Sequence, residues 1–147
     1  MLILGGLVVA TVAVSAWVRL APSDPARWHT DPAQGAAGDN SHVAKAFVPL
    51  PPAEALAAFD AVATAEPRTQ RLAGTVEEGR LTYVSRSQIW GFPDYTTVSA
   101  VPGDGGSWLV IYARARFGRS DLGVNAARVG RWLGAIPGYD PGPRPAS

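Results

Sequence analysis

Hydrophobic and polar positions divide the chain into three unequal stretches. From Leu2 to Val18 no charge interrupts a run dominated by Leu, Ile, Val and Ala. At about 1.5 Å per residue a helix over this run reaches about 25 Å, close to the thickness of a hydrocarbon core. Trp17 and Arg19 follow where an interfacial ring and a snorkelling cation belong. The run is apolar on every face, which does not suit a helix resting on one core. Val14-Ser15-Ala16 has the small residues of a cleavage site, but no Lys or Arg precedes the apolar run as a signal peptide requires. Residues 1–20 are therefore expected to be a single transmembrane anchor.

Periodicity then lapses. Pro22, Pro25, Pro32, Pro49, Pro51 and Pro52 exclude a continuous helix, and residues 21–51 read as an extended tether with Trp28 and Phe47 as docking points.

Pattern returns over residues 52–137, the expected globular domain. Proline at its first turn opens a helix at Pro52 or Ala53 that stops before Pro67, with Leu56, Phe59, Val62 and Ala63 as its apolar stripe. Alternating segments follow at Gln70–Val76 and Leu81–Gln88 around the turn Glu78-Gly79, then at Tyr95–Val101 and Ser107–Phe117. In the last of these, Leu109, Ile111, Ala113, Ala115 and Phe117 share one face, and Trp108, Val110, Tyr112, Arg114 and Arg116 the other. A closing helix over Asp121–Ile136 turns Leu122, Val129, Trp132, Leu133 and Ile136 inward, and Pro137-Gly138 ends it. Residues 138–147 read as a proline-rich tail. The short connections predict an α+β domain: a four-stranded antiparallel sheet with an N-terminal and a C-terminal helix on one face, preceded by a single transmembrane helix.

Composition narrows the chemistry. The 147 residues lack cysteine, which removes disulfides, thiol catalysis and thiolate metal sites. A net charge of +1 provides no field to recruit nucleic acid.

Candidate groups gather near the last strand. Asp94 with Arg86 and Arg114 is expected to form an ion-pair network across the sheet. The loop carrying Arg119, Ser120 and Asp121, with Arg116, Asn125 and Arg128 close in sequence, suggests either an anion cradle at a helix start or a plain helix cap. Ser120 as a nucleophile lacks the glycine of a nucleophile elbow, since Leu122 occupies that place, and both histidines lie in the tether. His29, Asp31 and His42 match no metal-ligand spacing. No catalytic, cofactor or metal residues are assigned. Trp108 and Tyr112 on the outer sheet face, with Trp90 and Phe92 on a turn, form a candidate contact surface that the tether, through Trp28, would otherwise cover.

Ser85-Arg86-Ser87, Gly91-Phe92-Pro93-Asp94, the run Arg114 to Asn125 and then Arg128 resemble the domain of unknown function 1499 family over roughly Pro52 to Ile136. The resemblance implies no activity. Members often follow a signal or anchor, which implies a periplasmic domain held at the bacterial inner membrane. Together these features lead us to expect a membrane-anchored, non-enzymatic accessory or interaction module. It would contact the bilayer through residues 1–20 and a membrane-protein complex, but no nucleic acid. The alternatives are a carrier of a small apolar ligand between sheet and closing helix, lined by Leu109, Ile111 and Trp132, and a hydrolase using Ser120.

Overall fold

The computed structural model describes residues 2–142, with side chains from residue 5 onward. Part of the expected tail, residues 143–147, lies outside the described residues. The elements run α1 (Leu2–Leu20), α2 (Pro25–Trp28), a 3₁₀ turn (Pro32–Gln34), β1 (Ser41–Val48), α3 (Pro52–Ala65), β2 (Thr69–Thr75), β3 (Arg80–Arg86), β4 (Pro93–Gly103), β5 (Gly106–Ala115) and α4 (Val124–Gly134).

The sheet has five antiparallel strands in the order β1-β5-β4-β3-β2, not the expected four. The additional strand comes from the supposed tether: Ser41 pairs with Arg114 and Val48 with Ser107 along the free edge of β5. Its inward side chains are Ala44, Ala46 and Val48, so its alternation rests largely on alanine and escapes a hydrophobicity count. An uncovered β5 would expose a row of unpaired backbone groups, and β1 satisfies them.

Helices α3 and α4 lie on one sheet face. Ala55, Leu56, Phe59 and Ala63 of α3 and Val129, Trp132 and Leu133 of α4 close over Leu81, Tyr83, Val98, Leu109, Ile111 and Ala113. Phe59, Tyr83 and Trp132 meet with ring centroids 5.6–5.9 Å apart. Trp132 Nε1 also donates to the Glu66 carboxylate at the C-terminal end of α3, which ties the two helices. The opposite face is partly covered by the leader: Trp28 stacks on Tyr95 at 3.8 Å and 10°, over Val84.

Among the described residues no helix is long and apolar enough to cross a membrane. This overturns the transmembrane anchor expected over residues 1–20 and the single-pass inner-membrane placement drawn from it. The physical reason is that the end of α1 belongs to the domain. Val18 is 2 % exposed, Trp17 packs edge-on to Phe117, and Arg19 Nη2 donates to the Ile89 carbonyl at 2.8 Å.

The closing helix also starts later than expected. Gly123 takes a left-handed N-cap conformation, and Leu122, expected to face inward, is 91 % exposed with φ 52°. Asn125 and Arg128 are buried in its stead.

Candidate functional site

The residues singled out as one polar cluster separate according to the parity of the strands. Tyr95 pairs with Arg114, and Pro93 with Arg86, so both arginines emerge on the leader face. Asp94, one residue out of phase, emerges on the helix face. The expected network of Asp94 with Arg86 and Arg114 therefore does not form.

Asp94 instead meets α4. Arg128 Nη1 and Nη2 each donate to Asp94 Oδ2 at 3.2 Å, and Nη1 also donates to Asn125 Oδ1 at 2.8 Å. The pair is nearly dry, with side chains 8 % and 15 % exposed. Burial pushes the Asp94 carboxyl above its ordinary range despite the attraction of Arg128, and neighbouring Asp121 adds to the rise. Desolvation thus outweighs pairing, as expected for a structural ion pair in a core.

The loop before α4 is a cap. Asp121 Oδ1 accepts from the Gly123 N–H at 2.9 Å and Oδ2 from the Asn125 N–H at 3.0 Å. Burial alone would raise the Asp121 carboxyl, but the hydrogen bonds from Asn125 and Gly123 outweigh it and hold it below the usual range. Ser120 Oγ accepts from the Leu122 N–H at 3.1 Å. His29 Nδ1 is hydrogen-bonded to Thr82 Oγ1 at 2.8 Å. Asp31 caps the 3₁₀ turn, and His42 pairs with Ala113 along β1. These groups serve architecture, and among the described residues no base is hydrogen-bonded to Ser120.

Arg114 holds the leader down. Nη2 donates to the Trp28 carbonyl at 2.6 Å and to Thr30 Oγ1 at 3.2 Å, and the guanidinium lies 5.2 Å from the Trp28 ring and 4.5 Å from Tyr112. Burial lowers its pKa from the ordinary arginine value. Trp28 is accordingly a covered residue, and Tyr112 is half-buried against Gly35, where a Cβ would come within 2.5 Å of the ring. Trp108 stays part-exposed, flanked by Phe47 at 5.3 Å and the Lys45 ammonium at 4.9 Å. Arg119 is exposed. The space expected to hold an apolar ligand is filled: Leu109, Ile111 and Trp132 are all packed in the core.

A different region collects unassigned chemistry: the base of α1, where it meets the turn between β3 and β4. Arg86 Nη1 donates to the Gly91 carbonyl at 3.1 Å and Arg116 Nη1 to the Pro22 carbonyl at 2.9 Å. Arg68, at the start of β2 with φ 60°, donates through Nε to the Arg86 carbonyl at 3.2 Å. Gly91, with φ 72°, lets Arg19 lie against the turn, since a Cβ there would sit 2.6 Å from Arg19 Cγ. Beside them Trp90 stacks on Phe92 with centroids 6.5 Å apart, and Phe92 meets Phe117 in a tilted contact at 5.8 Å. Sequence reading assigned Arg19 to a lipid interface and passed over Arg68, because no local pattern brings positions 19, 68 and 86 together.

A five-stranded antiparallel sheet under two helices, with a leader laid across its other face, defines an α+β domain. The chain matches, over residues 18–136, the family described as a protein of unknown function (DUF1499), and it belongs to that family. The X-ray structure of protein CV1439 from Chromobacterium violaceum is similar in fold at 15 % identity, covering 66 % of this chain and 94 % of that one with a TM-score of 0.50. Protein MLL2253 from Mesorhizobium loti aligns at 11 % identity over 65 % of this chain and 93 % of that one, with a TM-score of 0.46. No curated protein matches the chain in sequence.

Proposed function

We propose that this domain is a non-enzymatic accessory module that docks on a partner protein through the free part of α1. One observation carries the reading: Leu7, Val9 and Val12 are 67 %, 69 % and 63 % exposed on a helix whose base is fixed to the domain. Each such side chain gains about 1.5–3 kcal/mol when it leaves water. Because the apolar residues Leu7, Val8, Val9, Val12 and Val14 go round the helix, a flat surface would leave some of them wet. A cleft between apolar helices of a partner covers all of them, as in helix-in-groove recognition. A second copy of this chain, packing helix on helix, would cover only one side.

The engagement of the candidate reactive groups supports a binding role over a reaction. Asp94, Asp121, Ser120 and His29 are each engaged in a cap, an ion pair or a leader contact.

The test is site-specific photocrosslinking in the native cell, with a benzophenone side chain placed at Val9 or Val14. The expected result is one protein adduct, mapped to an apolar helical segment and abolished by Val12→Glu. Adducts to a second copy alone, to lipid alone, or none at all would refute the reading.

A further inference from the structure

Arg19, Arg68 and Arg86 line a single basin of about 350 Å³ together with Gln70, Ser87 and Gln88. Among the described residues no carboxylate lines it. The ion pairs among the described residues use Arg71, Arg80, Arg128 and Arg131, and none uses these three arginines. Each guanidinium is instead positioned by a backbone carbonyl: that of Ile89 for Arg19, of Arg86 for Arg68, and of Gly91 for Arg86. Such a bond orients the group but does not neutralise it, and a guanidinium has five N–H donors, most of them left over. Three like charges gathered without a counter-charge repel one another, and an anion in their midst relieves that repulsion.

The backbone is shaped to hold them. Arg68 has φ 60°, a left-handed conformation that is costly for a side chain of this size. At Gly91 the missing side chain makes room for Arg19.

A second concavity adjoins the first. A groove of about 600 Å³ runs between α1 and the β3–β4 turn, lined by Val12, Ala16, Leu20, Ile89 and Trp90, and Arg19 belongs to both. Basin and groove together form one amphipathic site, cationic at one end and mainly apolar along its length, where Thr11 and Ser15 are the uncharged polar lining groups. Its size suits a single acyl chain or a comparable small molecule.

We propose that this site binds an amphipathic anion, with a phosphate or carboxylate head among Arg19, Arg68 and Arg86 and an apolar chain along α1 and Trp90. Planar guanidinium groups suit such heads because they bind two oxygens at once. The site and the docking face share Val12, but Arg68 and Ile89 belong to the site alone and Val9 to the docking face alone, so substitutions at those three positions test the two proposals separately.

The experiment titrates the full chain with dodecyl phosphate, inorganic phosphate and dodecyl maltoside, the two amphiphiles below their micelle thresholds, read by calorimetry and tryptophan fluorescence. Dodecyl phosphate is expected to bind at one per chain, at least tenfold more tightly than either other probe, and more weakly as salt rises. Arg68→Gln and Arg86→Gln each reduce that affinity roughly tenfold or more, the loss expected for a charged hydrogen bond. Arg68 is exposed, so its substitution leaves the fold intact even if that at Arg86 does not. Ile89→Asp weakens dodecyl phosphate and leaves inorganic phosphate unchanged, and Val9→Glu affects neither. The proposal is overturned if the maltoside binds as tightly, if free phosphate binds as tightly, or if Arg68→Gln has no effect.

Discussion

Replacing Arg128 with Met tests the account of the buried ion pair. Methionine keeps most of the side-chain length but removes the guanidinium. It strands the Asp94 carboxylate, 15 % exposed, and the Asn125 amide oxygen that Arg128 also serves. Breaking one side of a pair this dry costs roughly 3–5 kcal/mol, a large share of the roughly 5–15 kcal/mol that holds a domain folded. The double variant Asp94→Asn with Arg128→Met removes both charges and is expected to lose less than the Arg128 variant alone. The pH dependence has a definite sign. Burial already raises Asp94 above its ordinary value of 3.8, and loss of Arg128 raises it further. Between the ordinary and the raised value the folded state holds a proton that the unfolded chain releases. Stability of the variant therefore falls as pH climbs through that window, and its deficit at pH 5 is smaller than at pH 7. Urea unfolding followed by tryptophan fluorescence at both pH values measures this for wild type, each single variant and the double. A loss below about 1 kcal/mol for Arg128→Met, or strictly additive losses in the double, would refute the reasoning.

Three further outcomes follow from the same contacts. His29 has a pKa below the usual 6.5, first because it is buried and then because Arg80 is near. Its contribution is complete above pH 6.5 and is lost as pH falls from there through the lowered folded value, so the Trp28 environment, read by fluorescence, should loosen on acidification below pH 6.5, and His29→Gln should flatten the response. Trp28→Ala removes the stack on Tyr95 and the cover over Arg114. The expected cost is about 3–5 kcal/mol with faster proteolysis of residues 22–34, and an unchanged cleavage pattern would count against a docked leader. Leu122→Asn should change stability by no more than about 0.5 kcal/mol, because Leu122 is exposed and asparagine accepts its positive φ. A loss of more than 1 kcal/mol would show that Leu122 packs inward.

Local patterns carried much of the folded domain. The stripe Leu56, Phe59 and Ala63 marked α3, and the alternation Leu109, Ile111, Ala113 marked the core face of β5. Both signals work because one periodicity meets one large apolar surface. Residues 41–48 gave no such signal. Their inward face is alanine and a single valine, and they become a strand only because the edge of β5 offers them hydrogen bonds. The apolar run at the N-terminus has the opposite problem, a strong signal with the wrong outcome. Its hydropathy suggested lipid, and only the assembled domain reveals that the Val18 carbonyl accepts from Arg86 and that Arg19 is bound to the turn around Gly91.

By itself, then, the chain determined which segments alternate, which helices have an apolar face, which chemistries lack their residues, and the family resemblance. The tertiary structure alone decided which charges meet. A shift of one residue along β4 sends Asp94 to the helix face and leaves Arg86 and Arg114 on the other. Arginines at positions 19, 68 and 86 share a basin only after α1, β2 and β3 have been brought together. Periodicity is a property of neighbours in sequence, whereas a site depends on register and long-range closure, which no local pattern encodes.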